Sequence, residues 1–203
     1  MRLKPKRKKK KNPRSPSDSA AASILWARLD RPGHEAARLS RSGSSWQLEG
    51  VAVLVHDDEP VCLDYTIVCT SEWRTRSVRV NGWMGTRAVD VAIDASDGSW
   101  MMNGSLCPAV ADSIDVDLNF SPSTNLLPIR RLNPAIGERV AVRAAWLRFP
   151  SLTLEPLDQT YSRLTDDLYR YESAGGRFVA DLRVNTAGFV VDYPGVWRAE
   201  ATG

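Results

Sequence analysis

The sequence holds only two histidines, His34 and His56, and three cysteines, Cys62, Cys69 and Cys107. So few imidazoles leave no histidine-rich metal site, and no CxxC pair is present. No metal or cofactor is implied. An odd number of cysteines makes a poor disulfide framework, which points to a reducing compartment. No run of about 18 apolar residues exists, so no helical membrane span is expected. The basic start is followed by Asn12, Pro13, Arg14, Ser15 and Pro16 instead of an apolar stretch, so no export signal is read and a cytoplasmic setting is expected. The nucleophile and phosphate motifs GxSxG, GxxxxGK[ST], HExxH and a strand-following GxGxxG are all missing.

Charge is unevenly placed. The chain has 203 residues and a net charge of +3, yet its first 14 residues hold nine Lys and Arg and no acid. The remainder carries 18 basic against 24 acidic residues, a charge of −6. The folded part is therefore acidic, and no basic patch is expected across it. Residues 1–22 lack apolar periodicity and read as a disordered tail. Their contact with nucleic acid or anionic membrane would be weak and non-specific, acting by counterion release. No aromatics interleave the charges, so base stacking is not available.

From about residue 23 to 200 the chain reads as one domain. Period-two alternation dominates it. Val61, Leu63, Tyr65, Ile67 and Cys69 share one face of a strand, with Asp64 and Thr66 on the other. Phe178, Ala180, Leu182 and Val184 alternate with polar neighbours, as do Ile114, Val116 and Leu118. Turn pairs recur at short intervals: Ser42-Gly43, Asp57-Asp58, Asn81-Gly82, Asp97-Gly98, Asn103-Gly104, Asn133-Pro134, Gly175-Gly176, Ala187-Gly188 and Pro194-Gly195. Ten to twelve strands joined as hairpins make an all-β antiparallel meander. Short helical turns are expected near 31–38, 105–112 and 121–127. The runs Val51–Val55, Val140–Phe149 and Phe189–Val191 are apolar on both faces. Such strands need a second apolar layer, supplied by a strongly curved, incomplete barrel around a ligand cavity or by a filled sandwich or roll.

Three features attract chemical readings. Asp115 and Asp117 point the same way on a strand, about 7 Å apart, which suits an acid/base pair acting on a sugar or ester and equally suits a solvent-facing or salt-bridging pair. In Ser121–Arg131 the two prolines suggest a stiff, extended backbone, with Thr124 and Asn125 offering hydrogen bonds. Adjacent Arg130 and Arg131 would then face opposite sides, one of them inward. There it would pair with Asp115 or Asp117, or anchor an anionic headgroup. Of the seven tryptophans most belong in the core, while Trp83 and Trp100 sit beside predicted turns at a pocket mouth. Trp146, on a strand apolar on both faces, is a further candidate contact.

The stretch Ile114–Leu132, IDVDLNFSPSTNLLPIRRL, is similar to the signature of a bacterial family named for glycolipid binding, once known as a domain of unknown function. Trp26–Asp30 with Pro32–Glu35, Tyr65–Cys69 with Trp73, Tyr169–Glu172 and Gly188–Arg198 resemble its other blocks in order. The resemblance covers about residues 24–198. It implies a spiral β-roll, similar in shape to carriers of lipoproteins and glycolipids, that binds an amphiphile without catalysis. It assigns no catalytic residue. A ligand-binding module is thus expected, with Asp115, Asp117, Thr124, Asn125, Arg130, Arg131, Trp83 and Trp146 as its contacts. An enzyme using Asp115 and Asp117, and a scaffold with an electrostatic tail, are the alternatives.

Overall fold

The computed structural model describes residues 20–203, with side chains from Ala22 onward. The basic tail lies outside the described residues except at its end. Fifteen strands form one sheet. The first eight are β1 (Ala20–Arg28), β2 (Gly33–Ser42), β3 (Ser45–His56), β4 (Glu59–Cys69), β5 (Thr75–Met84), β6 (Arg87–Ser96), β7 (Ser99–Met102) and β8 (Ser105–Leu106). After β9 (Asp115–Leu118) come a 3₁₀ turn at Ser123–Asn125 and the helix α1 (Leu126–Leu132). The remaining strands are β10 (Arg139–Arg148), β11 (Thr153–Arg163), β12 (Leu168–Ser173), β13 (Phe178–Val184), β14 (Val190–Tyr193) and β15 (Trp197–Thr202).

The first and last strands, β1 and β15, meet in the middle of the sheet. From there two arms wind outward, one as β2 to β8 and the other as β14 back to β9. Every neighbouring pair is antiparallel except β9 and β10, which are parallel. A parallel pair needs a crossover, and the 3₁₀ turn with α1 supplies it. The extra strands beyond the expected ten to twelve are mostly short ones at the two free edges.

The sheet does not close. It curls until its own edge strand, β9, lies inside. Val116 and Leu118 of β9 enter the large core beside Leu63, Ile67, Ala145 and Leu147. The Val116 N–H donates to Thr75 Oγ1 on β5 at 3.1 Å. The opposite face of β9, expected to face solvent or an open site, is turned toward a second, smaller core around Tyr161, Tyr171 and Leu182. Alternation alone cannot reveal a layer contributed by distant strands. Ala144 and Ala145 of β10 are both buried, as the two-sided apolar pattern predicts.

The interior is filled rather than hollow. Trp26, Trp100, Tyr65, Tyr161, Phe120 and Phe189 are all less than 2% exposed. Burying each aromatic contributes about 2 kcal/mol or more. The central apolar cavity considered from the sequence is therefore replaced by a packed core, and the larger depressions are open to solvent.

Other expectations also change. Val51 and Val53 are 44% and 52% exposed, so β3 is covered on one face only. Residues 33–38 belong to strand β2 and not to a helical turn. Asn81-Gly82 is not a hairpin turn but lies within β5. Gly82 has φ +139°, and a Cβ there would overlap the carbonyl oxygen of Cys62, so glycine serves close strand approach at this position. The turns at Asp57-Asp58, Asp97-Gly98 and Asn103-Gly104 do form tight hairpins with both residues at positive φ.

Candidate functional site

The segment from Ser123 to Leu132 is helical, in line with the turn expected near 121–127 and not with the extended backbone read from the two prolines, and it plugs the roll. Pro122 leads into the 3₁₀ turn, and Pro128 sits in the first turn of α1, where a missing N–H costs little. Thr124 and Asn125 hold this plug in place. Thr124 Oγ1 accepts from the Leu118 N–H at 3.3 Å, and Asn125 Oδ1 accepts from the Tyr161 hydroxyl at 2.9 Å. Both are buried and committed to the protein itself.

Under the plug lies a polar network that sequence reasoning missed. Glu35 of β2 is 0% exposed. Its Oε1 accepts from Tyr65 Oη and from Ser121 Oγ, each at 2.6 Å. Ser123 Oγ lies 2.7 Å from Tyr65 Oη. Ser123 Oγ also lies 2.7 Å from Ser121 Oγ, so the three hydroxyls and the carboxyl form one shared hydrogen-bond cluster. Burial pushes the Glu35 carboxyl up to about 7, against the two hydroxyl donors and the Arg28 charge that favour ionisation. Glu35 Oε2 and Arg28 Nη1 are buried without a hydrogen-bond partner among the described residues. The available signal was parity: Glu35 shares the inward face with Ala37 and Leu39.

A second buried layer surrounds β9. Arg131 grips Asp115 bidentately, Nε to Oδ1 at 3.0 Å and Nη2 to Oδ2 at 2.5 Å. Burial raises the Asp115 carboxyl and the guanidinium opposes it. Gln159 donates to Asp117 Oδ2 at 2.6 Å and to Tyr171 Oη at 3.1 Å. Burial lifts Asp117 to about 6. Arg130 takes a different job and lies over the Trp73 ring at 5.1 Å, with Trp73 stacked on Trp46. The two arginines do differ in role, but because they diverge from a helix, not a strand. Arg131→Ala is expected to cost about 3 to 5 kcal/mol, since it strands a buried carboxylate. Urea unfolding checks this, and a cost below about 1 kcal/mol would mean the pair is not structural.

The sequence candidates therefore scatter. Asp115, Asp117, Thr124, Asn125 and Arg131 are gathered, but into packing. Trp146 stands in register with Asp117 and carries Arg148 over its ring. Trp83 is 42% exposed on the outer face, in register with Cys62 and, through it, Val53. Trp100 is buried, and its indole N–H donates to the Ser113 carbonyl.

The open surface near the middle of the sheet is different in character. A groove of about 710 Å³ runs over the outer face of β15, β1, β2, β3 and β4. Leu25, Ala36, Val51 and Ala201 form an apolar floor, and Arg38, Glu49, Asp64 and Thr66 form a polar rim. Alignment of the floor follows from the register Ala201–Leu25–Ala36–Val51 across four strands. A register shift between β1 and β15 at Leu25/Trp26 marks a bulge there, and bulges bend a sheet. The rim carries one cross-strand pair, Arg38–Glu49 at 2.6 Å, whereas the outer face of β10 to β13 is tiled with several, such as Arg143–Asp158 and Arg170–Asp181. Among the described residues no group of three or more His, Cys, Asp or Glu could hold a metal ion.

These features define a class: an open, curled all-β roll with a packed interior and an amphipathic groove on its outer face. The chain belongs to the family described as "Putative glycolipid-binding", which matches residues 23–199. It is similar to the crystal structure of a DUF1089 family protein from Pseudomonas aeruginosa, with 28% identity and a TM-score of 0.70 over 98% of this chain and 99% of that one. A β-barrel-like protein of domain of unknown function DUF1849 from Brucella abortus aligns over 90% of this chain and 97% of that one, at 9% identity and a TM-score of 0.45. No curated protein matches in sequence. No described helix is long and apolar enough to cross a membrane.

Proposed function

We propose that the protein binds an amphiphile of the glycolipid class on the outer face of its sheet, and does no chemistry on it. The observation that carries this reading is the groove, where an apolar floor lies beside charged and hydroxyl side chains. An alkyl chain would cover Leu25, Ala36 and Val51, and sugar hydroxyls would meet Asp64, Glu49 and Thr66. The family to which the chain belongs supports the same ligand class. The commitment of both aspartates to protein partners supports a non-catalytic role, since Asp115 is tied to Arg131 and Asp117 to Gln159. Three free thiols, Cys62, Cys69 and Cys107, suit a reducing, cytoplasmic setting.

Octyl β-D-glucoside below its micelle concentration is a direct probe. Calorimetric titration of the full chain is expected to show saturable binding. Ala36→Trp, which fills the groove from an exposed position, is expected to weaken it about tenfold or more with little change in melting temperature. Unchanged affinity in that variant, or no saturable binding by the native chain, would remove the groove as the site.

A further inference from the structure

At one end of the roll the β4–β5 turn, the β6–β7 hairpin and the loop before β9 enclose an open cleft of about 1070 Å³. Its walls are rich in serine and threonine, and four charged side chains line it: Arg74, Arg76, Asp97 and Asp112. Many arginines of the described residues are tied to carboxylates. Arg74 and Arg76 are exposed, form no ion pair, and donate no side-chain hydrogen bond among the described residues. Asp97 accepts only from the neighbouring Ser96 hydroxyl, and Asp112 forms no ion pair among the described residues, feeling the Arg143 charge only from beyond contact distance. Ser113, 5% exposed, also lines the cleft, and its hydroxyl is buried with no hydrogen-bond partner.

Donors, acceptors and hydroxyls held apart in one cleft match a particular chemistry. A sugar ring both donates and accepts along its edge, so it satisfies aspartates on one side and arginines on the other. Two unpaired guanidiniums add a place for one anionic substituent, because charge-assisted bonds to carboxylate or phosphate are about twice as strong as neutral ones.

The cleft also continues the groove. On the outer face of β4 the groove uses Asp64 and Thr66, and the cleft uses Val68 and then Thr70 in the turn that follows the strand. On β3 the groove uses Glu49 and the cleft Ser45. Residues two apart on one face are about 7 Å apart, so one molecule of roughly 20 Å spans both.

We infer that the headgroup of the amphiphile whose chain occupies the groove reaches past Glu49 and Thr66 into the cleft, and that its part in the cleft is an anionic sugar. The inference rests on the groove reading, and its test separates the two. Titration of the full chain with octyl β-D-glucuronide and with octyl β-D-glucoside is expected to show the glucuronide bound about tenfold more tightly. The double variant Arg74→Ala/Arg76→Ala, altered at exposed positions, is expected to abolish that preference while weakening the glucoside by no more than a few-fold, the loss of its ring contacts alone. Ala36→Trp is expected to weaken both ligands. Ser113→Ala is expected to weaken the glucuronide a few-fold. Equal affinity of the native chain for the two ligands, or a preference that survives the double variant, overturns the headgroup site and leaves the groove standing. Glucuronide binding that Ala36→Trp does not touch overturns the continuity of groove and cleft. Inorganic phosphate that displaces the glucuronide at equal concentration overturns the sugar and leaves a simple anion site. Failure of both ligands to bind the native chain overturns groove and cleft together.

Discussion

Raising the pH from 5 to 8 is expected to destabilise this protein, and Glu35→Gln is expected to remove most of the fall between pH 6 and 7. The cause is the buried carboxyl of Glu35, held up to about 7 by burial against an ordinary value of 4.5. The sign follows from proton counting. Between these two values the native state holds the proton and the unfolded chain has released it. Stability then falls as pH rises, by about 1.4 kcal/mol per pH unit and about 3 kcal/mol in all, and levels off above 7. Asp117, lifted to about 6 with burial as the cause, adds a fall of the same sign at lower pH. Glutamine copies the shape of the protonated acid and keeps an oxygen to accept from Tyr65 and Ser121. The variant should match the native protein near pH 5 and exceed it at pH 8. Urea unfolding followed by tryptophan fluorescence at four pH values measures this. If Glu35→Gln retains the full native slope between pH 6 and 7, another group is responsible.

Gly50→Val is expected to cost about 4 kcal/mol, although the position is only partly covered. Gly50 pairs with Tyr65 across β3 and β4. The tyrosine ring lies over the glycine to reach Glu35 on the next strand, an arrangement in which an aromatic covers a bare glycine. A Cβ at position 50 would stand 2.5 Å from Tyr65 Cζ and 2.8 Å from Cε1, and as close to the hydroxyl. The ring must leave, and with it go the bonds from Tyr65 to Glu35 and Ser123. Overpacking of this kind costs about 1 to 3 kcal/mol, and each orphaned buried polar group about as much again. Tyr65→Phe, which removes the hydroxyl alone, should cost about 1 to 2 kcal/mol. In a Tyr65→Ser background the notch is empty, and adding Gly50→Val should then cost less than about 1 kcal/mol. A full cost in that background would show that the glycine serves the backbone and not the ring.

These two predictions concern the inner face, and the ligand readings concern the outer one. Both meet on the same strands. Glu35 points inward from β2 and its neighbours Ala36 and Arg38 point into the groove. Gly50 contributes to the groove floor while leaving space for Tyr65 beneath it.

Much of the fold was legible because it is written locally. Alternation in β4 named the buried residues Val61, Leu63, Tyr65, Ile67 and Cys69, and all five are buried. Turn pairs located most of the hairpins they were read for; Asn133-Pro134 instead ends α1, and Asn81-Gly82 lies inside β5, because a glycine needed for strand approach looks the same as one needed for a turn. The ion pair of an aspartate in β9 with one of the two arginines was also legible, from charge alone. Its setting was not: the pattern Asp115, Asp117 reads as a solvent face until β11 and β12 are folded against it.

The amino-acid sequence by itself determined an all-β meander, an acidic domain behind a basic tail, and the family through its ordered blocks. Only the tertiary structure decided which faces are inside. Curling brought a second layer over β9, packed the interior with aromatics, and left Val51 and Val53 outside with the groove. The reason is physical. Period and turn chemistry act between residues close in sequence, whereas burial on a second face, the Glu35 network and the groove floor arise between strands as distant as β1, β4 and the plug before β10.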